Sequence, residues 1–189
     1  MLGGYFIGGT CFVMSIISNV IQKNSLIILR RRGLIIGKNY FQGGHVLIDP
    51  SFPWLIKIGD DVTLVSRVII LAHDASTKHD LGYTKVGKVT IGDKVFIGAG
   101  SIILPGVTIG NNVIIAAGSV VSRDIPKGSV AKGIPARVTE TIDQFLSRKR
   151  AEMQAFPLFG QEYTLEGKVS NKKKEEMVER MKDKFGYII

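Results

Sequence analysis

Between Ile91 and Val121 an aliphatic residue stands at every sixth position: Ile91, Ile97, Ile103, Ile109, Ile115 and Val121. Helical stripes repeat near 3.6 residues and sheet faces near 2, so a strict six-residue period fits neither. It fits a chain that turns a corner after each short strand and returns above itself, with three such units closing one triangular coil. Coils paired as neighbouring strands would lie about 4.8 Å apart. The place four residues after each aliphatic holds Val95, Ser101, Val107, Val113 and Ser119, small or β-branched side chains suited to a crowded inner wall. Gly92, Gly98 and Gly110 directly follow the aliphatic and read as corners with unusual dihedrals.

Backward from Ile91 the period fails at Lys85 and returns in a new phase at Ile70, Leu64 and Ile58. Residues 74–89 therefore read as a loop thrown out of the solenoid. A second interruption, Asp49 to Leu55 with Pro50 and Pro53, separates Ile58 from Ile48 and Ile36. The pattern predicts an all-β parallel solenoid over residues 34–138, preceded by an apolar helical segment over 1–33 and followed by a helical extension over 139–189. In that extension one helix is expected from Thr139 to Gln154, stopped by Pro157, and another from Asn171 to Phe185 with Asn171 as its cap. Capping of the stack and contacts between copies explain both helices.

The run from Met1 to Gln22 carries no charge, yet it contains Gly3, Gly4, Gly8, Gly9, Ser15, Ser18, Asn19 and Gln22, and no basic stretch precedes it. It reads as a helix packed on the oligomer, a segment at the inner face of a membrane, or an anchor. A single cysteine, Cys11, excludes an internal disulfide framework and accords with a reducing cytoplasm. The net charge of +9 is dispersed, and no recognition helix, zinc finger or RNA-binding signature accompanies it, so nucleic acid is not an expected partner. The three histidines, His45, His73 and His79, lack a cysteine or carboxylate cluster at ligand spacing, and no metal is expected.

His73 stands where the strand Val68 to Ala72 gives way to the excursion. An imidazole there is either a general base beside a flap or a polar loop residue. An eighteen-residue coil stacks Gly98 on Ala116 and Ala99 on Ala117, columns with nothing larger than a methyl group. Such a strip is either a groove for a thin, amide-bearing ligand or tight corner packing.

The run VTIGDKVFIGAGSIILPGVTIGNNVIIAAGSVVSRDIP from Val89 to Pro126, closed by GIPAR from Gly133 to Arg137, resembles the hexapeptide-repeat acyltransferases, above all their sugar O-acetyltransferases. The resemblance implies a left-handed parallel β-helix, a homotrimer, and acetyl-CoA as acyl donor between subunits. It implies His73 as catalytic base and the Ala99 amide at the thioester. It assigns Gly98, Ala99, Ala117, Ser122, Arg123 and Arg137 to the cofactor, and Asp74, His45 and Tyr83 to a sugar or glycan acceptor. Asp74 stands where the galactoside and maltose enzymes commonly have proline, and it either orients His73 or faces water. The tail, with Phe156 to Phe159, Glu162 to Thr164 and Phe185 to Ile188, is similar to members of surface-polysaccharide synthesis. An amino-sugar N-acetyltransferase and a non-catalytic scaffold are the alternatives.

Overall fold

The computed structural model describes residues 26–182 and 184–189, so the apolar run of residues 1–22 lies outside the described residues. Two compact units divide between Ile142 and Asp143.

In the first unit, successive strands take three walls in turn. The first wall holds Ile35–Ile36, Ile56–Ile58, Val89–Ile91 and Thr108–Ile109, all parallel. The second holds Phe41–Gln42, Thr63–Leu64, Phe96–Ile97, Ile114–Ile115 and Ser129–Gly133. The third holds Leu47–Ile48, Ile69–Ile70, Ile102–Ile103 and Val120–Val121. A parallel three-walled stack is what the hexad pattern demands.

The register shows where the chain departs from a plain eighteen-residue coil. Thr108 pairs with Thr90 and Ile114 with Phe96, a step of eighteen. Thr90 pairs with Lys57, a step of 33 that absorbs the excursion. Ile69 pairs with Leu47, a step of 22 that absorbs the interruption around Pro53, which forms a single helical turn at Pro53–Leu55. The excursion is itself ordered: His73–Asp74 pairs antiparallel with Lys85–Val86, a short helix occupies Lys78–Leu81, and the Gly87 amide donates to Ala72 O at 2.9 Å.

All six hexad aliphatics are at most 1% exposed, and the five small residues opposite them at most 2%. Serine is tolerated in this wall because Ser101 and Ser119 both donate to Ala116 O, at 3.0 and 2.7 Å. The outer corners carry a second ladder. Asp60, Asp93 and Asn111 each accept the backbone N–H of the coil before, from Lys38, Asp60 and Asp93 at 2.7, 2.9 and 3.0 Å.

The glycines after the hexad aliphatic are explained differently from the sequence expectation. Positive φ falls two residues later, at Lys94, Gly100, Gly106, Asn112 and Gly118. Gly98 is required by closeness: a Cβ there would lie 2.4 Å from Ala117 N in the next coil. Pairing at hydrogen-bond distance leaves no room for a methyl group at that point of the wall.

Two helix boundaries also differ. Residues 139–141 belong to the strand Ala136–Thr141, antiparallel to Ser129–Gly133, and the helix runs Ile142–Ala155. The ladder satisfies the backbone of 136–141 before a helix can claim it. The last helix runs Asn171–Met181, capped by Ser170, whose Oγ accepts from Lys173 N, so the cap lies one residue before Asn171. Phe185 lies beyond that helix and stacks on Phe156 at 4.3 Å, while Leu158–Phe159 pairs with Tyr187–Ile188. Among the described residues no helix is long and apolar enough to cross a membrane.

Candidate active site

His73 begins at the corner where the third wall hands the chain to the excursion. Its ring is positioned by a residue that the periodicity passed over. Asp49 follows the strand Leu47–Ile48, and its own amide donates to Ile70 O at 2.9 Å. That bond places its side chain beneath the turn at Ala72. Asp49 Oδ2 accepts from Ala72 N at 2.8 Å and meets His73 Nδ1 at 2.5 Å, while Oδ1 accepts from Ser51 N at 2.9 Å.

Asp49 is fully buried and the His73 side chain 30% exposed. Burial alone would raise the carboxyl pKa, but the bonds from His73, Ala72 and Ser51 outweigh it and hold Asp49 below the ordinary aspartate value. An ionised carboxylate only accepts, so Nδ1 carries the imidazole proton and the lone pair stands on Nε2. The ring is also flanked by Phe52, tilted at 56° with centroids 5.3 Å apart.

A pocket of about 620 Å³ opens beside this imidazole, lined by His73, Asp74, Lys85, Leu104, Pro105 and Ser122 among others. Asp74 lies in the pocket wall but not on the imidazole. Its Oδ1 accepts from Ser76 N at 2.9 Å, and that bond is the main reason its carboxyl sits below the usual range. The orienting carboxylate is therefore Asp49, where the sequence left Asp74 as a possibility. Tyr83, 81% exposed, lies in the excursion and does not line the pocket.

Gly98, Ala99, Ala117 and His45 occupy a different edge of the prism. Ala99 and Ala117 are exposed and stacked, with Gly118 N donating to Ala99 O at 2.8 Å. Gly98 is buried, and its amide is spent on Ile115 O, so it sets coil spacing and offers no surface to a ligand. His45, at φ 59, stands on this same edge two coils earlier, linked through Gly44 O to Arg67 and through Ser66 O to Gly100. The whole third wall separates these residues from His73 within one chain. Ser122 and Arg123 are exposed just after the third-wall strand Val120–Val121. Arg137 is exposed on the antiparallel strand, where its Nη1 donates to Ala136 O at 2.9 Å. Among the described residues no group of histidine, cysteine, aspartate and glutamate could hold a metal ion.

Residues 88–123 match the family of bacterial transferase hexapeptide (six repeats). The chain is 35% identical over 113 residues to the putative acetyltransferase YvoF of Bacillus subtilis, covering 60% of this chain and 63% of that protein. Among solved structures it resembles a galactoside acetyltransferase in complex with coenzyme A, at 35% identity and a TM-score of 0.56 over 61% of this chain and 58% of that one. It also resembles a maltose O-acetyltransferase from Clostridium difficile 630, at 30% identity and a TM-score of 0.51, over 66% of this chain and 85% of that one. The chain spans 63%, 58% and 54% of the first three curated relatives it matches. From the repeat, the three-walled stack and these likenesses together, the chain belongs to the bacterial hexapeptide-repeat transferases.

Proposed function

We infer that this chain is an acetyl-CoA-dependent O-acetyltransferase acting on a sugar or a surface-polysaccharide intermediate. The observation that carries this is the buried carboxylate of Asp49 on Nδ1 of His73, which leaves a basic Nε2 beside a pocket. The likeness to a galactoside acetyltransferase in complex with coenzyme A supports the donor, and the likeness to a maltose O-acetyltransferase supports a sugar hydroxyl as acceptor. The coil is taken as left-handed, the hand the family resemblance implies.

In this mechanism Nε2 of His73 takes the proton of the acceptor hydroxyl as its oxygen forms a bond to the acyl carbon. The same imidazole then returns the proton to the departing sulfur. Asp49 keeps the ring in the right tautomer and stabilises the imidazolium between the two transfers. The amide of Ala99 donates to the carbonyl oxygen as it gains charge. When bound, acetyl-CoA supplies an activated thioester carbonyl. Its thin pantetheine arm fits the methyl-only column of Ala99 and Ala117, with Ser122, Arg123 and Arg137 toward the phosphates.

Because Ala99 and His73 occupy different edges, the site requires an adjacent copy, and a homotrimer meets that need. The outer faces support it. The second wall presents Phe41, Phe96 and Ile114 with Thr63 among them, and the third Leu47, Ile69, Ile102 and Val120, whereas beyond Ile35 the first presents Lys57, Thr90 and Thr108. Two apolar faces and one polar face suit a ring of three. His45 reaches the imidazole only from the adjacent copy, while Asp74 and Tyr83 would meet the acceptor from the imidazole's own chain. The decisive experiment measures coenzyme A binding by calorimetry and acetyl transfer to hydroxyl sugars against amino sugars. Absence of coenzyme A binding overturns the reading, and transfer only to amines overturns the acceptor assignment.

A further inference from the structure

The segment between Asp49 and Ile56 does more than lengthen the first coil. Asp49 orients His73, Phe52 flanks its ring, and Trp54 meets Phe52 edge-on at 5.6 Å and 69°. Trp54 is 57% exposed in the single chain, a large aromatic surface near a reactive group. Its turn is firmly held. Pro53 is buried, Leu55 N donates to Phe52 O at 3.0 Å, and a methyl group at Gly33 would approach Trp54 Cβ to 2.8 Å. Phe52 flanks the imidazole and Trp54 packs on Phe52, and neither aromatic ring lines the pocket shared by His73, Lys85 and Ser122.

We propose that Trp54 is the platform for a second sugar unit of the acceptor, which makes the substrate an oligosaccharide or polymer chain in preference to a free monosaccharide. This rests on the O-acetyltransferase reading of the site. A pyranose has a face of C–H groups that packs on an indole while its hydroxyls remain hydrated, and an aromatic ring fixed in advance gives up little freedom on binding. The position decides which sugar is held. Two ring-to-ring steps, of 5.3 and 5.6 Å, separate Trp54 from the imidazole. A unit stacked on Trp54 would be the neighbour of the one whose hydroxyl meets Nε2, with Phe52 near the link between them.

Trp54 is the only tryptophan in the chain, so its emission reports on this surface directly. The experiment compares acetyl transfer to glucose and galactose with transfer to maltotetraose and a β-linked galactotetraose. Trp54→Ala raises KM for a tetrasaccharide about tenfold while changing that for its monosaccharide little, and Trp54→Phe restores most of the difference. In the wild type, the tetrasaccharide changes tryptophan emission saturably. The proposal is overturned if Trp54→Ala handles both sugar lengths as the wild type does, or if emission stays constant while the tetrasaccharide is acetylated. It is also overturned if the variant dissociates the oligomer in sedimentation, which would make Trp54 a subunit contact. No transfer by the wild type to any of these sugars, with coenzyme A binding intact, removes the sugar reading and the platform together. Wild-type transfer that Trp54→Ala leaves unaltered removes the platform alone.

Discussion

Asp49 Oδ2 lies 2.5 Å from Nδ1 of His73 although 24 residues separate them in the chain. The contact joins the start of the Pro53 insertion to the start of the excursion, so both departures from the plain coil meet at one imidazole. Asp49 serves the fold as well as the ring, since it also accepts the amides of Ala72 and Ser51.

Replacing Asp49 by Asn keeps the shape but presents an amide that can donate to Nδ1, which moves the ring proton to Nε2. Turnover should fall about a hundredfold or more with little change in coenzyme A affinity. Steady-state kinetics and calorimetry on the same preparation check this, and unaltered turnover would show that the carboxylate has no part in setting the tautomer.

His73→Ala should lower turnover by about a hundredfold or more and leave coenzyme A binding nearly intact, since the imidazole is assigned to proton transfer and not to holding the donor. Loss of coenzyme A binding in this variant, seen by calorimetry, would argue against that division of labour.

The depressed pKa of Asp49 carries a pH dependence of stability. Folded Asp49 binds its proton less readily than an unfolded aspartate, so on acidification the unfolded chain takes up protons first. The stabilisation is present above the ordinary aspartate value of about 3.9 and is lost as pH falls through the lower, folded value. Urea midpoints of the wild type and Asp49→Asn should therefore differ most near neutrality and converge below about pH 4. A gap that widens on acidification would contradict the sign.

Gly98 and Gly100 should respond unequally to substitution. Gly98→Ala drives a Cβ against backbone of the next coil and should cost about 1–3 kcal/mol or more. At Gly100 the φ is +69 and nothing lies within 4 Å of a built Cβ, so Gly100→Asn should cost no more than about 1 kcal/mol. Asn112 already occupies the same hexad position two repeats on, at φ 56. Thermal unfolding of the two variants ranks them.

The hexads from Ile58 to Val121 were enough to read the stacked coils, because an inward side chain that recurs every sixth residue leaves its mark directly in the one-dimensional string. The same string placed His73 at the mouth of the excursion and the methyl-only column at Ala99 and Ala117. Spacing could not show Asp49 beneath His73: the first two coils are offset by 22 residues, and only strand pairing reveals which side of an insertion faces which. The strand at 136–141 and the reason for Gly98 were hidden for a related cause, since each is decided by a neighbouring backbone segment and not by local preference. Periodicity records what every coil shares, whereas the candidate site is built where coils differ, and there a residue's partners depend on chain distant in sequence and near in space.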